Sequence, residues 1–131
     1  MSSTTSYPYI CEWDSVEAAY WGLNGYKVFN GHTFKLYDQS LTWHEAKVMC
    51  EALGGHLATS TSAEKNVFLT SLIMYKLSKI QTSAYTAWLG GTDEVEEGVW
   101  HWITGEEWNY VGENFYNYDN DDYLAIGNDG D

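Results

Sequence analysis

Glu113, Asn114, Asp119, Asp121 and Asp122 fall within a span of ten residues near the C-terminal end of the chain, interleaved with Tyr110, Phe115, Tyr116 and Tyr118. Carboxylate and amide oxygens crowded in this way are the donors of Ca²⁺, which takes about six to eight oxygens at roughly 2.3–2.6 Å. The rings beside them could stack on a neutral ligand or anchor a protein partner, since Tyr gives large contact area at low entropic cost. A solvated acidic loop with internally packed rings is the simpler use of the same residues.

Other chemistries find less support. No Ser, Cys or paired acid stands at a recognisable spacing from His32, His44, His56 or His101, so neither a nucleophile nor a general base is indicated. A glycosidase would need two carboxylates held about 5–9.5 Å apart across a cleft, and these acids cluster on loops. The histidines read as structural or exposed. Cys11 and Cys50 match no zinc pattern. They form either one disulfide in an oxidising compartment or two buried free thiols.

Charge narrows the partners. Nineteen acids against six Lys and no Arg leave a net charge of −13 over 131 residues, with no Lys after Lys79. A polyanion needs Lys and Arg on the protein, so nucleic acid is not the expected partner. Membrane insertion is not expected either, for no apolar run approaches the ~20 residues of a spanning helix. The first residues lack the basic and apolar segments of a signal peptide. Seven Trp and eleven Tyr in a chain that is 44% hydrophobic argue for one folded domain, 1–131.

The elements that would position the acidic loop can be read in order. YPYICEW (7–13) alternates as a strand, and 14–25 is a connector to the main body, 26–131. YKVFNGHTFKLYD is a hairpin about Asn30-Gly31, a pair suited to a type I′ turn. Thr42 to Glu45 is a capping box opening a helix with Ala46, Met49, Cys50 and Leu53 on one face, stopped by Gly54-Gly55. Thr61 to Glu64 repeats that signature before a second helix with a Val67, Phe68, Ser71, Leu72, Tyr75 stripe, running to about Leu77. AYTAWLGG, VWHWITG and DYLAIG are strands, and 107–121 between the last two is a loop. The class is α+β, with mostly antiparallel pairing.

GHTFKLYD, TWHEAKVMCEALGGHLATSTSAEKN, WLGG, GVWHWITGEEWNY and DDYLAIG, in this order over residues 31–131, resemble the landmarks of C-type lectin-like domains. The GGHLA and WLGGTD wording is similar to bacterial members that occur as tandem repeats. The resemblance implies a fold of two helices on mostly antiparallel sheets with a long loop. It also implies that Cys11 pairs with Cys50, because family members close with a strand much like YICEW whose Cys bonds the first helix. Here that strand comes first, as in a circular permutant or a chain spanning a repeat boundary. It would fill the slot in its own sheet as a monomer, or a neighbour's in a strand-swapped dimer.

The family further implies an extracellular, non-enzymatic binding module, with carbohydrate as ligand and Ca²⁺ as the ion. Its calcium-dependent sugar site uses a Glu-Pro-Asn or Gln-Pro-Asp triplet, an acidic pair before a late strand, and a Trp-Asn-Asp motif. Asp121-Asp122 supplies the pair, and Glu113-Asn114 is the nearest counterpart of the triplet, but without Pro; Trp-Asn-Asp is absent. Expected metal ligands are Asp119, Asp121 and Asp122; expected ligand-binding residues are Glu113, Asn114, Tyr116, Tyr118 and Asp121. The departures from the family pattern favour, as the alternative, a protein-binding, adhesive or structural domain without a calcium–sugar site.

Overall fold

In the computed structural model, residues 5–17, 25–77, 85–116 and 122–128 are described. Among the described residues, eight strands form one sheet: β1 (Tyr7–Trp13), β2 (Tyr26–Phe29), β3 (His32–Leu41), β4 (His56–Leu57), β5 (Tyr85–Thr92), β6 (His101–Trp102), β7 (Phe115–Tyr116) and β8 (Tyr123–Asn128). Two helices, α1 (Trp43–Ala52) and α2 (Ala63–Leu77), lie between β3 and β5 in sequence. The main path runs β2-β3-β1-β5-β8-β7, with β4 against β1 and β6 against β5. All pairings are antiparallel except β1 with β5, which is parallel. This is the α+β architecture expected from the pattern of elements.

The first strand in sequence is central in space. Alternation along β1 sends Tyr9, Cys11 and Trp13 into one core with Trp43, Ala46 and Cys50 of α1, and Ile10 into the other with Leu69, Leu72 and Ile73 of α2. YICEW thus joins its own chain's sheet, and Cys11 is bonded to Cys50 with a Cα–Cα separation of 5.4 Å. The bond spans 39 residues; closing such a loop stabilises by about 4 kcal/mol in the chain-entropy model. Replacing both cysteines by Ser should therefore lower the unfolding free energy in urea by about that amount. A change below roughly 1 kcal/mol would show that the packing of β1, not the crosslink, holds the helix to the sheet.

Local signals explain most boundaries. Asn30 and Gly31 both have positive φ, 52° and 84°, as a type I′ turn requires. The Thr42 cap is reciprocal: its hydroxyl accepts from the Glu45 N–H at 3.3 Å, and Glu45 Oε1 accepts from the Thr42 N–H at 3.0 Å. After α1 the chain turns at Gly54 (φ 90°), and a Cβ on Gly55 would lie 2.6 Å from the Glu12 carbonyl, so only glycine lets β1 pass this close.

Some expectations shift. The hydroxyl capping α2 is that of Ser62, which accepts from the Lys65 N–H at 3.1 Å; Thr61 lies one residue too early. Of the expected stripe on α2, Leu72 is buried and Phe68 packs against the core, but Val67 is 69% exposed, and Leu69 and Ile73 complete the buried face. Polar Lys65 and Asn66 occupy buried positions on that helix, and a hydropathy pattern misses them. On α1, Met49 and Leu53 stay partly exposed while Trp43 takes the core place. Within the expected loop, Phe115 and Tyr116 pair with β8. Trp88 and Trp102 are buried as expected, and Trp100 and Trp108 are half-buried against that core.

Candidate functional site

The strand ends β5 and β8 bring together two carboxylates that are distant in sequence. Thr92 pairs with Tyr123, the Asp93 N–H donates to the Asp122 carbonyl at 3.0 Å, and the Thr92 hydroxyl donates to the same carbonyl at 2.6 Å. This clamp sets Asp93 and Asp122 side by side, 3% and 8% exposed. The turn after β5 then folds Glu97 over them, tied by a hydrogen bond from the Gly98 N–H to Asp93 Oδ2 at 2.8 Å. One carboxylate oxygen from each of Asp93, Glu97 and Asp122 lies within 4.8 Å of the others.

The electrostatics of this trio are unfavourable without a cation. The charge of Asp93, then that of Asp122, holds the exposed Glu97 carboxyl above the ordinary carboxylate range. Asp93 Oδ1 is buried and accepts no hydrogen bond. Native folds seldom leave a buried carboxylate oxygen unpartnered, because the desolvation cost is of the order of 1–3 kcal/mol or more. An ion coordinated by the three groups would meet both needs. Three carboxylates, hard oxygen donors, are of the type that Ca²⁺ takes. Glu94 turns away, accepting from the Tyr123 hydroxyl at 2.9 Å.

Of the residues expected from sequence, Asp122 belongs to this trio. Asp119, Asp121 and Tyr118 lie outside the described residues, and Tyr116 is described only as a β7 residue. Glu113 and Asn114 line an open cleft of about 750 Å³ with Tyr110, Asn66 and Ser71. The Asn114 amide is engaged on both sides: Oδ1 accepts from Asn66 Nδ2, and Nδ2 donates to Thr70 Oγ1, each at 2.8 Å. It latches the loop onto α2.

Sequence reasoning missed Asp93 and Glu97. A carboxylate immediately after a core strand, followed four residues later by another, was available in TDEVEEG. What hid it was the partner, Asp122, which only the β5–β8 register supplies.

Comparison with known proteins identifies the family of the chain. The family model described as Lectin C-type domain matches residues 39–125. C-type lectin domain family 4 member F of Rattus norvegicus is 35% identical over 89 residues, 68% of this chain and 14% of that protein. The galactose-specific lectin nattectin of Thalassophryne nattereri is 32% identical over 88 residues, 67% of this chain and 53% of its own. Hepatic lectin of Gallus gallus is 30% identical over 82 residues, 63% and 35% respectively. The chain thus spans between about a seventh and about half of these relatives. All three are animal proteins, which departs from the bacterial tandem-repeat type that the GGHLA and WLGGTD wording suggests. No solved structure matches the chain.

Proposed function

The chain belongs to the C-type lectin domain family, and from that premise we propose that it is a carbohydrate-binding module whose ligand face is organised by Ca²⁺. The observation that carries this is the Asp93–Glu97–Asp122 trio with its unpartnered buried oxygen. Asp93, Glu97 and Asp122 would hold the ion, with Asp119 and Asp121 close in sequence as further donors. The bound charge would fasten the turn 94–98 to the start of β8, where the chain leaves the loop 107–121. Glu113, Tyr110, Tyr116, Tyr118 and Asp121 are then the ligand-contacting set, the rings stacking on a sugar face and the carboxylates taking its hydroxyls, while Asn114 holds the loop in place. Galactose is a sensible first probe, being the specificity stated in the name of nattectin.

The disulfide supports an extracellular setting, and a non-enzymatic binding role follows from the family. A protein ligand is the second reading: the Asn114 latch removes one amide from sugar recognition, and Val111 beside Tyr110 is 66% exposed. Calorimetry with Ca²⁺, followed by retention on immobilised galactose or mannose with and without EGTA, tests the proposal. A single saturable heat and EGTA-reversible retention are expected. Absence of heat and of any melting shift at millimolar Ca²⁺ would overturn the calcium part. Calcium binding without retention on either sugar would favour the protein ligand.

A further inference from the structure

We propose that Glu12, Asp14, His32 and His56 form a second metal site, for a divalent ion of Zn²⁺ type, where β1 meets β3 and β4. The topology makes the convergence. β1 pairs with β3 on one side and with β4 on the other, and in the second pairing Glu12 stands opposite His56. His32 opens β3, and Asp14 follows the end of β1. His32 Nδ1 lies 2.9 Å from Glu12 Oε2 and 3.2 Å from Asp14 Oδ1. His56 Nε2 lies 3.0 Å from the same Asp14 oxygen. Donor atoms of Glu12, Asp14 and His56 lie within 4.8 Å of one another.

The hydrogen-bond accounting shows where a cation would enter. His56 Nδ1 sits 2.7 Å from the Leu57 carbonyl, which can only accept, so Nδ1 carries the proton. Nε2 lies 3.0 Å from Asp14 Oδ1, a contact that is favourable only when the ring carries a second proton or when a metal ion takes that proton's place. A backbone carbonyl that fixes one ring nitrogen and frees the other is the usual support of a metal-bound histidine. His32 Nδ1 is buried and makes no hydrogen bond, although two carboxylate oxygens lie within 3.2 Å. Two imidazoles and two carboxylates are a borderline donor set, suited to Zn²⁺ rather than Ca²⁺. A tetrahedral ion at about 2.0–2.1 Å separates its donors by about 3.3 Å, so the observed 2.9–3.2 Å contacts need to open only slightly. Lys65 Nζ already holds both Glu12 oxygens at 3.1 Å. Glu12, Asp14 and Lys65 together leave one net negative charge to draw the ion. Asp14 is 68% exposed at the side chain, which leaves a way in from solvent.

The test uses the intact, oxidised chain and Zn²⁺ alone, in a buffer that does not chelate. One equivalent should bind, raise the melting temperature by several degrees, and shift the side-chain nitrogen resonances of His32 and His56 in the wild-type protein. Co²⁺ should show the intense visible absorption of four-coordination. His32→Gln combined with His56→Gln should weaken binding by roughly 100-fold, while Asp93→Asn leaves it unchanged. Histidine resonances unmoved by Zn²⁺ would overturn the proposal whether or not the double variant folds. So would Zn²⁺ stabilisation that disappears with Asp93→Asn, which would put the ion in the acidic trio.

Discussion

Deletion of residues 1–13 is expected to leave a chain without a cooperative unfolding transition. β1 is an inner strand, flanked by β3 and β5 and touched by β4, so its loss exposes unpaired strand edges on more than one side. It also withdraws Tyr9, Ile10, Cys11 and Trp13, each at most 4% exposed, from both cores. Emptying a large buried position costs about 2–5 kcal/mol, so four together exceed the usual 5–15 kcal/mol stability of a domain. Lys65 would meanwhile lose the Glu12 carboxylate that it grips at 3.1 Å, leaving a buried ammonium uncompensated. A thermal melt followed by circular dichroism should lose its sigmoid. A synthetic peptide of residues 5–17 should restore it under oxidising conditions, linked through Cys11 to Cys50. A sharp melt from the truncated chain alone would show that the sheet closes without its central strand.

How much of this was legible follows from where each signal resides. Alternation in YICEW, the Asn30-Gly31 turn and the Thr42 cap are local, and the structure forms each as the sequence implies. The cysteine partner is not local; it came from the family resemblance, and the bond is present. The buried charge is harder still. Glu12 alternates with apolar neighbours on β1, and Lys65 sits two residues into α2, yet nothing in either segment announces their ion pair. It forms because β1 and α2 share one core face, and that is a property of topology. The metal candidates fail to show for the same reason. Asp93 and Asp122 are joined by the β5–β8 register, and His32 and His56 by β1 passing between their strands.

Asp93→Asn should stabilise the protein in EGTA and abolish its response to Ca²⁺, two changes of opposite sign from one substitution. Without the ion, the side chain is a buried carboxylate with one unpartnered oxygen, facing Glu97 and Asp122. An amide there keeps an oxygen for the Gly98 N–H, now accepted at 2.8 Å. It also turns two donors toward the neighbouring carboxylates, removing like-charge repulsion. The apo melting temperature should therefore rise. With Ca²⁺ at about 100-fold above its Kd, the wild type should gain about 2.7 kcal/mol by mass action, on the order of 10 °C for a domain of this size. The variant should gain almost none, because its best-buried hard donor has become neutral. Glu64→Gln, at the exposed start of α2, removes the same charge away from the trio and should leave the Ca²⁺ shift intact. If Asp93→Asn instead lowers the apo melting temperature and retains the full Ca²⁺ shift, the ion binds elsewhere. The buried Asp93 oxygen would then be a structural cost that this fold carries without a ligand.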